Sequence, residues 1–214
     1  MMKQRRILWT GLLVLVSATV THLHATEAWA HASSDLQPDP SVVWGRLDNG
    51  FRYAILPNAE PPDRVSLRLL VEAGSLMENE DQRGLAHYLE HMAFNGTENY
   101  PAGEMVEYFQ RLGMSFGADT NAFTSFDRTV YMLELPRNEE ELMRDGLLLF
   151  RDYADRMDLA AEEIEKERGV ILAEKRARDS AGWRTYVAEV EFVLGESRVP
   201  ERLPIGEEEV LKTA

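Results

Sequence analysis

The 214-residue chain contains no cysteine. That absence excludes disulfide staples, thiolate metal ligands and a cysteine nucleophile. Any metal must be held by His, Asp and Glu, and no cysteine is available to accept a lipid. Basic charge is in deficit, with 23 Lys and Arg against 37 Asp and Glu and a formal net charge of −14. Phosphate backbones need basic surfaces, so nucleic acid is not an expected partner. Long apolar runs are also missing. The longest, Ile7 to Val20, falls short of the ~20 residues that span a bilayer, so no stable membrane span is expected. Histidine is scarce: there are five, and only three follow residue 30.

What is present begins at the N-terminus. Lys3, Arg5 and Arg6 precede the Ile7–Val20 run, and Ala28-Trp29-Ala30 supplies a small-x-small pattern. Residues 1–30 therefore read as a cleavable signal peptide of an exported protein. An uncleaved anchor and a buried N-terminal helix are the alternatives. Residues 31–41 (HASSDLQPDPS) form a polar, proline-bearing entry segment with His31 expected in solvent. The remainder, 42–214, has the 44% apolar content of the whole chain to draw on for a core.

Short apolar runs at Val42–Leu47 and Phe51–Leu56 flank Asp48-Asn49-Gly50, a hairpin signal. A third strand is expected at Val65–Val71 and two more at 114–124 and 128–135. Helices are expected at Leu85–Phe94, at 103–113 with Gly113 as C-cap, at Glu140–Met157 and at Ala161–Arg178. Trp183–Leu194 is a weaker helical candidate, and Pro200–Glu209 reads as loop. Phe123 is expected to pack in the core, and Trp183, Tyr186 and Phe192 in core or interface. Strands, helix, strands, then helices describe an α+β domain with a mostly antiparallel sheet packed with helices.

The informative segment is His87-Tyr88-Leu89-Glu90-His91. Residues four apart share one helical face, so His87 and His91 can present ring nitrogens to one ion. Glu90 also turns toward that region. Two imidazoles, a carboxylate and an open position are what hydrolytic zinc requires. A third protein ligand is needed, and the acidic helix offers Glu162, Glu163, Glu165, Glu167 and Glu174. Glu167 and Glu174 lie seven apart on one face, so one can reach the metal while the other supports it. The competing readings are plain: two ordinary helix histidines and a solvated charged face.

The order His-x-x-Glu-His is the inverted zinc-peptidase signature. It stands with Gly74-Ser75-Leu76-Met77-Glu78, Arg83-Gly84-Leu85-Ala86, Asn95-Gly96-Thr97, Tyr100-Pro101, Asn121-Ala122-Phe123-Thr124-Ser125 and Glu167-Arg168-Gly169-Val170-Ile171-Leu172-Ala173-Glu174. From about Val42 onward the chain resembles the pitrilysin/insulinase family, most closely its bacterial periplasmic members. The resemblance implies a zinc metalloendopeptidase domain of α+β type with one Zn2+ per chain. It implies His87, His91 and Glu174 as ligands, Glu90 as catalytic base and Glu167 as support for the first shell. Asn121 and Ala122 match the strand whose backbone pairs with a peptide or protein substrate. Family members are much longer and close as two halves, and this chain resembles about the first quarter. A C-terminal half or partner subunit is thus implied. The alternative is a non-catalytic zinc- or peptide-binding subunit, or a truncated remnant.

Overall fold

The computed structural model describes residues 29–213. Most of the expected signal peptide, residues 1–28, lies outside them. The chain divides at Pro57 into two units.

In the first unit, β1 (Val43–Arg46) pairs antiparallel with β2 (Arg52–Ile55), Val43 opposite Ile55 and Arg46 opposite Arg52. The connection departs from the expected Asn-Gly turn. Only Gly50 adopts a positive φ, +94°, while Asn49 acts through its side chain, whose Oδ1 accepts the Phe51 N–H at 3.0 Å. The entry segment opens on a short 3-10 turn, Ala30–Ser33. His31 is not in open solvent as expected. Its ring lies 4.7 Å from that of Trp44 and 6.3 Å from that of Trp29.

The second unit is built on a three-stranded antiparallel sheet in the order β3 (Val65–Val71), β5 (Thr129–Leu135), β4 (Thr120–Thr124). On β5, Thr129, Tyr131, Leu133 and Leu135 are buried in strict alternation. Period-two burial is what a sheet with one covered face requires. The cover is α3 (Glu140–Asp155), whose Leu142, Gly146, Leu149, Phe150 and Tyr153 share one buried stripe. Leu147, off that stripe, is exposed. Helix α2 (Glu104–Arg111) adds Met105 and Phe109 to this core and ends, as expected, at Gly113 with φ +83°.

Two expectations on β4 are corrected. The strand does not start at residue 114. Gly117 turns the chain at φ +88°, and Asp119 accepts the Ser115 N–H at 2.8 Å, closing a local turn before Thr120. Phe123 does not enter the core, because the alternation that buries Thr120 sends Asn121 and Phe123 to the exposed face.

Helix α1 (Leu85–Met92) packs against α4 (Ala161–Arg178) through Tyr88, Met92 and Ile171. Beyond it, Ser180 caps α5 (Ala181–Leu194), its Oγ accepting the Trp183 N–H at 3.1 Å. Tyr186 and Phe192 lie exposed on α5 rather than in a core. Residues 200–209, expected as loop, include part of a 3-10 turn, Val199–Arg202, and the start of α6 (Glu208–Leu211). Leu211 is what fixes this tail, fully buried against α1 and α4.

The tail also sets where α1 begins. Gly84 (φ +103°) and Gly206 (φ +73°) touch backbone to backbone, and a Cβ on Gly206 would lie 2.3 Å from the Gly84 Cα. The adjacent Glu207 N–H bonds the Arg83 carbonyl at 3.2 Å. Rigid backbone cannot yield as a side chain can, and positive φ adds strain for any L side chain. Gly206→Ala is therefore expected to cost about 2–3 kcal/mol. Urea unfolding should show a lower midpoint at unchanged slope; an unchanged midpoint would refute the close approach.

Candidate metal centre

The start of α1 is held by a buried carboxylate. Glu78 accepts the N–H groups of Gly84 at 2.9 Å and Ala86 at 2.8 Å. An acceptor here satisfies orphan donors of the first turn and places negative charge at the positive end of the helix. Burial nevertheless leads, raising the Glu78 pKa above its ordinary value against those hydrogen bonds. The Glu78 carbonyl in turn receives Arg198 at 2.9 Å and the buried Arg202 at 3.3 Å.

With α1 so fixed, His87 and His91 stand one turn apart, and their Nε2 atoms are 3.2 Å from each other. Helix α4 crosses behind them. Glu167, Ile171 and Glu174 share its inward face. Ile171 is fully buried against α1, and the two glutamates flank it. Glu174 Oε2 lies 3.5 Å from His87 Nε2 and 3.3 Å from His91 Nε2. Of the other glutamates considered, Glu163 pairs with Lys166 at 3.0 Å and Glu165 with Arg168 at 2.8 Å, both ion pairs within α4. Glu162 is exposed.

Glu167 plays a different part. Its Oε1 meets His91 Nδ1 at 2.7 Å. A carboxylate oxygen only accepts, so Nδ1 carries the hydrogen and Nε2 is the atom turned toward Glu174 and His87. The triangle of 3.2, 3.3 and 3.5 Å can be compared with coordination geometry. Ligand bonds of about 2.0–2.2 Å in a tetrahedral zinc site place donor atoms roughly 3.3–3.6 Å apart. The donor set, two nitrogens and one carboxylate oxygen, is also one that zinc accepts. Residues and spacing therefore fit a zinc ion.

Glu90 is buried beside this triangle, and its Oε2 accepts the Thr124 hydroxyl of β4 at 2.6 Å. Burial raises the Glu90 pKa above the ordinary carboxylate value, with the Thr124 bond opposing. Burial likewise lowers His87 to about 4, aided by the neighbouring His91 charge. At His91 burial also works against charge, but Glu167 and Glu174 overcome it and raise the pKa to about 9. Glu174 is lowered to about 2, chiefly by its bond to His91, with Arg178 assisting against burial. The cluster thus holds one imidazole neutral and one cationic between carboxylates.

Asn121 and Ala122 lie on β4, opposite Met132 and Tyr131 of β5. Ser125 N–H bonds the Arg128 carbonyl and Glu134 N–H the Asp119 carbonyl. In an antiparallel ladder alternate residues bond the partner strand, so 119, 121, 123 and 125 face β5. The backbone groups of Ala122 and Thr124 therefore point to the outer edge, the Ala122 N–H occupied by Asn121 Oδ1 at 2.9 Å. The strand edge and the Thr124–Glu90 bond meet in one place. Thr124 and Glu78 stand in segments that carry the family resemblance, but no role for either was legible in the sequence, since threonine in a strand and glutamate in a loop carry no periodic signal.

A family model described as Insulinase (Peptidase family M16) matches residues 53–189. The chain belongs to the insulinase family, peptidase family M16. Among M16 relatives, it is 41% identical over 171 residues to the probable zinc protease PqqL of Escherichia coli, covering 80% of this chain and 18% of PqqL. It is 32% identical over 182 residues to the chloroplastic stromal processing peptidase of Pisum sativum, covering 84% of this chain and 14% of that protein. The crystal structure of the periplasmic protease PqqL from Escherichia coli aligns with a TM-score of 0.81 at 40% identity, over 84% of this chain and 20% of that one. The chain thus spans 14–20% of these relatives, and its α+β antiparallel architecture is shared with the PqqL structure.

The two histidines give a titration test in protein stripped of metal with chelator. His87 should stay neutral down to about pH 4 and His91 stay charged up to about pH 9, resolved by NMR of the ring protons. A folded-state pKa raised from 6.5 means the His91 contribution is whole below that value and lost as pH rises toward 9. Stability of the stripped protein should therefore fall between those limits, and His91→Asn should flatten that fall. Coincident midpoints for the two rings would contradict the geometry.

Proposed function

We propose that this chain carries the zinc centre and catalytic base of a metalloendopeptidase. The supporting observation is the donor triangle, whose three edges match those of a tetrahedral zinc site. His87, His91 and Glu174 would hold one Zn2+, and Glu167 would orient His91. Zinc bound there supplies a Lewis acid and lowers the pKa of water to roughly 7.

Glu90 is assigned as the base. Thr124 engages Oε2, which leaves Oε1 to take the proton from the attacking water and deliver it to the leaving amine. Burial raises its proton affinity in the direction that this exchange requires. A peptide or protein substrate would add as a strand along β4, bonded through the outward backbone groups of Ala122, with Asn121 beside it. The register then carries the substrate past Thr124 toward Glu90.

The catalytic domain is taken to be residues 42–214, with 31–41 as an entry segment and 1–30 as a signal peptide directing export to the periplasm. The basic-then-apolar N-terminus and the similarity to a periplasmic protease support that location. Among the described residues no helix is long and apolar enough to cross a membrane. Because the chain spans 18% of PqqL, a C-terminal half or partner subunit is proposed to complete the substrate cleft. The second reading, a zinc- or peptide-binding part without its own activity, rests on that same coverage.

Metal analysis and a peptide digestion assay test this together. One zinc per chain is expected, lost in His87→Ala. Glu90→Gln should keep the zinc yet cut peptides at least ~100-fold more slowly. Equal cleavage by Glu90→Gln and the native chain would overturn the assigned base; zinc bound with no cleavage by the native chain would favour the second reading.

The edge strand has its own test. Ala122→Pro removes the outward N–H, and with it the local bond to Asn121 Oδ1, and leaves the β4–β5 ladder intact. Peptide affinity of a Glu90→Gln background should drop about tenfold or more on losing main-chain pairing, with circular dichroism unchanged. Undiminished affinity would place the substrate elsewhere.

A further inference from the structure

Three residues past the end of α1, Asn95 reaches back into the metal centre from a side that the ligands do not occupy. Its Nδ2 donates to Glu167 Oε2 at 2.8 Å, while Glu167 Oε1 holds His91 Nδ1 at 2.7 Å. The same Nδ2 approaches the His91 carbonyl at 3.4 Å. Both oxygens of Glu167 are thus committed, one to the imidazole and one to Asn95.

Asn95 is itself held in place. Its N–H bonds the Met92 carbonyl at 3.0 Å, so it continues from the helix end. The following residues are pinned to α3. Thr97 Oγ1 and the Asn99 N–H donate to Asp152 Oδ2 at 2.9 and 3.0 Å, and Asp152 is fully buried. The Asp158 N–H bonds the Gly96 carbonyl at 3.0 Å. The loop carrying Asn95 is therefore fixed both to α1 and to the segment that follows α3.

We propose that Asn95 is a positioning residue for the metal centre, acting through Glu167 on His91. A glutamate side chain has three rotatable bonds, and a single contact to a histidine leaves its carboxylate free to swing. The amide of Asn95, rigidly based, selects the rotamer in which Glu167 fixes the Nδ1–H tautomer and leaves His91 Nε2 for the metal. This inference rests on His87, His91 and Glu174 being the zinc ligands.

The experiment is zinc competition against a chromophoric chelator, using the full 214-residue chain. It compares the native protein, Asn95→Ala, Glu167→Gln, the double variant and His91→Ala. Loss of an outer-shell partner typically costs 10–100-fold in metal affinity, so Asn95→Ala should bind zinc about tenfold more weakly or worse. Because Asn95 works through Glu167, the double variant should match Glu167→Gln within about twofold. Native-like affinity in Asn95→Ala, or losses that multiply in the double variant, would overturn the inference while leaving the zinc site standing. If Asn95→Ala does not fold by circular dichroism, Asn95→Leu carries the test, since it nearly keeps the shape and removes the donor without adding charge. Zinc binding indifferent to His91→Ala would sink the ligand assignment, and this inference with it.

Discussion

The packing of α1 on α4 is the contact on which the rest of the centre depends. Tyr88 and Met92 from one helix close over Ile171 from the other, with Leu211 sealing the end. Ile171 lies midway between Glu167 and Glu174, four residues after the first and three before the second. Burying that one side chain therefore aims both carboxylates at α1. The Tyr88 hydroxyl adds a bond to the Ile164 carbonyl, locking the helices along their length as well as across. Apolar burial pays for bringing charges together that would otherwise remain solvated.

The electrostatic arrangement follows from that packing. Two imidazoles 3.2 Å apart cannot both be charged at low cost. The carboxylates decide between them: Glu167 and Glu174 both contact His91, so His91 keeps the proton, and the more deeply buried His87 gives it up. Arg178 bonds the far oxygen of Glu174 at 2.9 Å, leaving Oε2 directed at the rings. A metal held by His91 Nε2, as proposed, would require that proton to leave, so binding and proton release would be coupled.

The sheet contributes by what it leaves open. Its central strand β5 is paired on both sides, whereas β4 is paired on one. The outer row of β4 backbone groups runs past Thr124, which holds Glu90. A protein usually blunts such an edge; here it ends at buried Glu90, the proposed base, and a substrate strand is the proposed occupant.

Helix and strand positions were legible wherever a period was strong: the alternation of β5, the stripe of α3, the i, i+4 histidines of α1. The start of β4, Phe123 and the α6 segment were misjudged because each depends on neighbours distant in the chain or on a local turn without a periodic mark. That His87, Glu90 and His91 share one region was determined by sequence alone, because helical geometry puts residues three and four apart on one face whatever surrounds them. Periodicity left the glutamates of α4 open and the resemblance implied Glu167 and Glu174; the tertiary structure brings these two to the histidines and alone decided the bonds from Thr124 and Asn95 to Glu90 and Glu167. Those contacts join residues 34 and 72 positions apart, and only the packing of separate elements can bring such groups within hydrogen-bonding distance.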